Sequence, residues 1–393
     1  MLVALQPRAA AAQAAACLAL WLLLAPAVHA ATLQLEVGAS LPALLKRAVD
    51  GDVIEIAPGD HRGQVGVIGH KKLTLRGIDG PQGRPVLHAD GASAEGKAIL
   101  VVRGEDIRIE NLAFRGARVR DRNGAGIRFE KGRLLVLRCL FADNENGLLA
   151  GNQPDAELEV RDSEFMQAPV GTPLPHLLYV GRIARFVLQG SRMRGGADGH
   201  LVKSRAIESH IRYNELVDGT LGRAAYELEF PNGGLAYVIG NVIGQSETTS
   251  NLAMLSYGTE GADDRERVHG LYVSHNTFIN DGVKPANFVR VVADRLRGPV
   301  DRRLVDNVFA GIGMLSFGWA DVSQGNVPLP RALLREPDLR AFGLGPDSWL
   351  RGRAVSAGSA RGVSLLPTMQ FKPPAGTQPL PANLRLSPGA VQD

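Results

Sequence analysis

The sequence predicts an all-β fold, a parallel β-helix built as a single-stranded solenoid. Three observations carry this: a strand phrase that recurs through the middle of the chain, a small or amide residue at one place in each copy, and the absence of long amphipathic helical periods. The phrase is an alternating strand, a small or amide residue, one further residue and a large apolar one. It reads IRIENLAF, LLVLRCLF, LEVRDSEF, FVLQGSRM, SHIRYNEL, AYVIGNVI, LYVSHNTF and RRLVDNVF, and it places Asn111, Cys139, Ser163, Ser191, Asn214, Asn241, Asn276 and Asn307 in one stack. Copies recur every 23 to 35 residues, each with a second alternating segment such as AGIRFEKG, PHLLYVGR, GHLVKSRA or AAYELEF. A unit that short cannot bury its own apolar face, so units must stack. Stacked amides hydrogen-bond to one another along the axis, which explains the Asn position and makes Cys139 a structural member of the ladder.

The elements follow in order. Residues 1–30 carry Arg8, the apolar run LALWLLLAPAV and a small-residue pattern ending at Ala30, a secretion signal with cleavage before Ala31. No other stretch approaches the ~20 apolar residues of a membrane span, so the expected product is exported, periplasmic or secreted, and free of the membrane. Cys17 leaves with the signal, and Cys139 remains without a disulfide partner. LPALLKRAV (residues 41–49) reads as a short amphipathic helix capping the first coil, followed by GDVIEIAPGDHRG as strand and turn. The repeat ends near residue 325, giving a β-helix over 31–325. Ten of the 23 prolines lie from Pro328 onward, so 326–393 is expected to be an irregular C-terminal segment laid along the solenoid.

Composition narrows the function. The 393 residues include 44 Lys and Arg against 40 Asp and Glu, a formal charge of +4, with 5% aromatics. That balance argues against a nucleic-acid partner organised around a dense basic patch and leaves room for an acidic polymer. A monomer is expected.

The run GDVIEIAPG, then LTLRG, then the repeated xNxF strands and the terminal SPGAVQD resemble the pectate-lyase-type right-handed parallel β-helix superfamily of secreted bacterial polysaccharide enzymes. The resemblance covers nearly the whole mature chain. It implies a right-handed coil and a polysaccharide substrate, while the superfamily spans lyases, hydrolases, epimerases and non-catalytic proteins.

Outward residues of adjacent coils stack at about 4.8 Å. Aligning the second segments on Leu178, Val180, Val202, Leu228 and Phe230 puts Tyr179, Lys203 and Glu229 in one outward row, and Leu177, Leu201 and Glu227 in the row beside it. Arg205 follows on the face of Lys203, His176, His200 and Tyr226 form the rim, and Arg128 and Arg290 extend the basic character at either end. These types suit eliminative cleavage of a uronic-acid polymer. A cation such as Arg205 neutralises the C6 carboxylate, Lys203 becomes a base if burial or Arg205 lowers its pKa, and Tyr179 or a histidine (His176, His200) protonates the leaving oxygen. Tyr226, Glu227, Glu229, Arg128 and Arg290 then serve substrate binding. The plainer reading of the patch is a solvated face of stacked ion pairs, Lys203 with Glu229 for instance.

A narrower resemblance bears on Lys203. VKSRAIESHIRYNEL followed by GLAYVIGNVIGQ is similar to the alginate lyase and chondroitinase B family, polysaccharide lyase family 6, whose VKS-type motif carries the base lysine. That family's acid arginine lies in an LRHG-like motif one coil later. Here the stretch is LEFPNGG, so the correspondence stops at Lys203, with Arg205 and Arg223 as substitutes.

Two alternatives stand beside the lyase reading. Glu227 and Glu229 on one face, about 6.5–7 Å apart by strand rise, would suit a hydrolase; a C5-epimerase or a non-catalytic carbohydrate-binding envelope protein would use the same groove. No cofactor is expected. Calcium is an alternative at Glu260, Asp263, Asp264 and Glu266 in EGADDRERVHG, since it prefers several oxygen ligands.

Overall fold

A computed structural model describes residues 30–173, 175–220, 222–318, 320–334 and 342–392; the secretion signal read over residues 1–30, with Cys17, lies outside these apart from Ala30. From Val53 onward the chain places strands in three parallel sheets in rotation. Val53–Ile56 enters a twelve-stranded sheet, Asp60–Arg62 an eleven-stranded sheet and Gly66–Ile68 a ten-stranded sheet. Lys72–Gly77 then pairs back onto Val53–Ile56, and the cycle repeats as a right-handed parallel β-helix.

Alternation along each short strand fills the interior. In the eleven-stranded sheet the inward row includes Phe114, Phe141 and Phe165, whose rings stack at 5.0 and 4.5 Å, and later Phe278 and Phe309 at 5.1 Å. Identical rings in identical rotamers fit because neighbouring coils repeat at strand spacing.

The amide stack is present, with one shift. Each turn from the twelve- to the eleven-stranded sheet contains one residue in the left-handed region: Arg138, Asp162, Gly190, Tyr213, Gly240, His275, Asp306 and Gly325. One left-handed residue bends the chain sharply, and the residue after it points its side chain into the corner. Backbone N–H groups donate along this line, from Cys139 to Ser163 Oγ, Ser163 to Ser191 Oγ, Ser191 to Asn214 Oδ1, and on through Asn241, Asn276 and Asn307 to Asn326. Asn326 extends the ladder one coil beyond the sequence reading. Asn111 does not belong to it: Asn111 is itself the left-handed residue (φ 54°), and Leu112, fully buried, holds the ladder position.

Helix α1 (Leu41–Arg47) caps the first coil, with the Ser40 hydroxyl accepting from the Ala43 N–H and Leu41, Leu44 and Leu45 buried. At the other end, Val327–Leu329 pairs with Val308–Ala310, so the last coil runs past residue 325. Beyond it the chain forms two small antiparallel pairs, Ser359–Ala360 with Val363–Ser364 and Met369–Phe371 with Thr377–Pro379. Ala357, Ala360 and Leu365 pack on Tyr237 and Tyr272 of the twelve-stranded sheet and on Tyr213 in the turn beside it. Leu344, Leu350 and Ala390 pack on Val242, Ile279 and Val308 of the eleven-stranded sheet. These contacts cover two faces of the solenoid; the third, the ten-stranded sheet, carries the site.

Candidate active site

One register position of the ten-stranded sheet runs through Val101, Arg128, Leu149, Tyr179, Lys203, Glu229, Ser256, Arg290 and Phe317. The row Tyr179, Lys203, Glu229 is therefore as expected from the alternation. Arg128 and Arg290 each lie three coils from Lys203, about 14 Å along the axis at strand spacing, so they flank the cluster and stand apart from it.

Around Lys203 the polar groups converge. Its ammonium lies 3.0 Å from Glu229 Oε2 and donates to Glu260 Oε1 at 2.7 Å. Arg205 also reaches Glu260, at 2.7 Å from Oε2, so two cations share one carboxylate. Arg205 Nε donates to the Tyr179 hydroxyl (2.8 Å) and its Nη1 to Asn232 Oδ1 (2.6 Å). His200 Nε2 stands 2.9 Å from Glu229 Oε2, and Thr259 Oγ1 donates to Glu229 Oε1 at 2.7 Å.

The rim is a stack. His200 and Tyr226 open successive strands and His176 lies just before the strand Leu178–Val180; His200 lies over Tyr226 at 5.0 Å and meets His176 edge-on at 4.7 Å, while His176 stacks on Tyr179 at 5.4 Å. His176 Nδ1 and His200 Nδ1 are 3.1 Å apart. The His200 main-chain N–H donates to His176 Nδ1 at 3.0 Å, so neutral His176 carries its proton on Nε2, which has no protein partner among the described residues.

Charge is set by burial and pairing. Burial disfavours the Lys203 ammonium, but Glu229 and Glu260 outweigh it and raise its pKa, so Lys203 is a held cation. This corrects the expectation that burial or Arg205 would lower it toward a base. Burial likewise opposes ionisation of Glu229, yet His200, Lys203 and Thr259 bring it down to about 2. Burial holds His200 below its ordinary value, and burial with His200 and Lys203 holds His176 well below, so both imidazoles favour the neutral form.

Four further sequence expectations change. Glu227 is not on the outer face. The sheet register pairs His200 with Tyr226 and Val202 with Leu228, omitting Leu201 and Glu227 where the backbone turns a corner. Leu177, Leu201 and Met254 at the same position join the apolar core, and Glu227 is 0% exposed with neither carboxyl oxygen hydrogen-bonded. Burial, with Asp218 nearby, pushes its pKa well up. It cannot bind substrate from there, nor act with Glu229 as a carboxylate pair.

The exposed ion-pair reading also fails, because Lys203 is 8% and Glu229 3% exposed. In the acidic loop, Glu260 pairs with Lys203 and Arg205, Asp263 with Arg265 and Arg267, and Asp264 with Arg182. These carboxylates already have cations, and among the described residues no group of three His, Cys, Asp or Glu is arranged to hold a metal. Arg223, the proposed substitute acid, pairs instead with Asp198. Asn232 and Thr259 are site residues that the sequence did not assign, and it offered Glu260 only as a calcium ligand. The Lys203–Glu260 contact joins positions 57 residues apart, across two coils and a loop, and no local periodicity signals it.

The three parallel sheets define a class of fold: the chain has the right-handed parallel β-helix of the pectate-lyase type. Among solved structures, pectate lyase Pel9A superposes with a TM-score of 0.50 at 13% identity, covering 93% of this chain and 97% of that one. An alginate lyase from Paenibacillus sp. str. FPU-7 gives a TM-score of 0.46 at 16% identity, covering 76% and 99%. No protein-family model and no curated protein matches the chain in sequence.

Proposed function

We propose that the protein is an exported, monomeric polysaccharide lyase that cleaves a uronic-acid-containing polymer by β-elimination, with 31–325 as its catalytic β-helix. One observation carries the reading: Lys203 and Arg205 are already spaced to grip a single carboxylate between them, 2.7 Å from each, beside Tyr179 and His176. The fold shared with pectate lyase Pel9A, named for an acidic polymer, agrees with it.

In this mechanism the C6 carboxylate of the substrate takes the place of the Glu260 carboxylate on Lys203 and Arg205. Neutralising that charge acidifies the C5 proton. Tyr179, acting as its phenolate against Arg205 Nε, removes the proton from C5, the C5 electron pair forms the C4–C5 double bond, and the bond from C4 to the leaving oxygen breaks. Tyr179 then protonates that oxygen. His176, whose Nδ1 accepts from the His200 N–H, keeps its proton on Nε2 and donates a hydrogen bond from there to the substrate. Glu229 holds His200, which in turn positions His176. Arg128 and Arg290 bind more distant uronates.

The test is to incubate the purified protein with alginate, pectate, glycosaminoglycans and bacterial exopolysaccharides. Ultraviolet-absorbing unsaturated ends, lost in Lys203→Ala and Tyr179→Phe, support the lyase reading. New reducing ends without unsaturation would show a hydrolase, C5 proton exchange without cleavage an epimerase, and binding without turnover a carbohydrate-binding protein.

A further inference from the structure

Glu260 occupies the place where the substrate carboxylate is needed. Its side chain is 42% exposed, while the Lys203 and Arg205 side chains that it neutralises are 10% and 16% exposed. The carboxylate thus lies on the solvent side of two largely buried cations.

The backbone beneath it is fixed. Gly258 and Gly261, at φ 80° and 81°, bracket Thr259 and Glu260 in a tight turn that L side chains at those two positions would strain. The turn is tied by Gly258 N–H to Phe230 O (2.9 Å), Glu260 N–H to Pro231 O (3.0 Å) and Asn232 Nδ2 to Gly261 O (3.0 Å). Arg295 holds the Thr259 carbonyl at 2.6 Å. Further along the loop, Arg265 and Arg267 share Asp263 and donate to the carbonyls of Arg205 and Gly233, stapling the segment to the turns that follow Lys203 and Glu229. With the main chain anchored on both sides, rotation of the Glu260 side chain alone is enough to free the two cations.

We propose that Glu260 is a resident counter-ion and specificity-determining residue, which a ligand carrying its own carboxylate replaces. This deepens the lyase reading and takes its substrate class from it. Replacement by a carboxylate keeps Lys203 and Arg205 neutralised. A neutral sugar that pushed Glu260 aside would leave Lys203 with Glu229 alone and the largely buried Arg205 with no carboxylate, which is strongly unfavourable. The fold therefore rejects neutral polymers through the cost of stripping an ion pair, with no steric barrier required.

Acetate is the probe, because it is a carboxylate without a sugar. Acetate is titrated into the full chain, Glu260→Gln and Glu260→Ala, following Lys203 by NMR. The expected result is at least a tenfold lower Kd for acetate in both variants, a gain abolished when Arg205→Ala is added, and a parallel gain for oligogalacturonate over cellohexaose. Acetate affinity equal to or weaker than that of the unsubstituted protein in both variants overturns the assignment. Tighter acetate binding in the variants, with no acidic polymer cleaved by the unsubstituted protein, sinks the lyase reading and leaves the exchange of carboxylates standing.

Discussion

Glu227 and Glu229 are two residues apart on one strand and have opposite fates: Glu229 sits against His200 and Lys203, while Glu227 is sealed in the core with both carboxyl oxygens unpartnered. The same residue type is driven toward about 2 at one position and well above its ordinary 4.5 at the other. The first is a charge that the fold uses. The second is a polar group that the fold tolerates at a cost.

Glu227→Leu, matching Leu201 one coil earlier, is expected to stabilise the protein by about 1–3 kcal/mol near neutral pH, the cost of an unsatisfied buried polar group. Because the folded pKa is raised, the penalty is small below the unfolded value of 4.5 and grows as pH rises above it. Denaturant midpoints should therefore diverge between the two proteins from pH 4 to pH 8. A variant less stable at every pH would contradict this account.

For Glu229 the sign is reversed. Its depressed pKa gives stability that is complete above about 4.5 and lost as pH falls toward about 2. Glu229→Gln should flatten the loss of stability over that window, read by thermal melts at successive pH values. An acid limb as steep as that of the unsubstituted chain would show that the pair does not stabilise the fold.

Lys203→Ala is expected to lower kcat/KM on the responsive polymer by about 10²–10³-fold, the usual loss when one charge-stabilising group is removed. Lys203→Arg keeps the charge but changes the geometry of the grip, and should retain more activity than Lys203→Ala. Equal activity in Lys203→Ala and the unsubstituted chain would remove Lys203 from the mechanism.

In the ladder, Asn241 accepts from Asn214 and donates to Asn276 Oδ1 and to the Ile211 carbonyl. Asn241→Ala leaves several buried groups unpaired and should cost at least about 2 kcal/mol, measured by denaturant unfolding. At the head of the same ladder, burial lifts the Cys139 thiol to about 11. It should resist thiol reagents in the native state and react only on unfolding; rapid native labelling would show that the coil opens there.

The degree to which the sequence was readable follows from locality. Phe114, Phe141 and Phe165, or Asn214, Asn241 and Asn276, occupy equivalent places in successive repeats, so periodicity alone aligns them. Asn111 was misaligned by one residue because an amide at a left-handed turn looks like an amide in the ladder. The row of Tyr179, Lys203 and Glu229 was legible because strict alternation holds there. It fails two residues earlier, where the corner turns Glu227 inward.

The sequence by itself determined the solenoid, its internal ladder and the row on which the cations stand, because each depends on a short period repeated along the chain. Only the tertiary structure decided which charges meet. Glu260 reaches Lys203 and Arg205 from a loop outside the repeat, and Glu227 is withdrawn at a position that Leu177, Leu201 and Met254 fill in neighbouring coils, where strict alternation breaks. The charge state of the site is likewise a tertiary property, since burial and the neighbours assembled around each group keep Lys203 charged and His176 neutral.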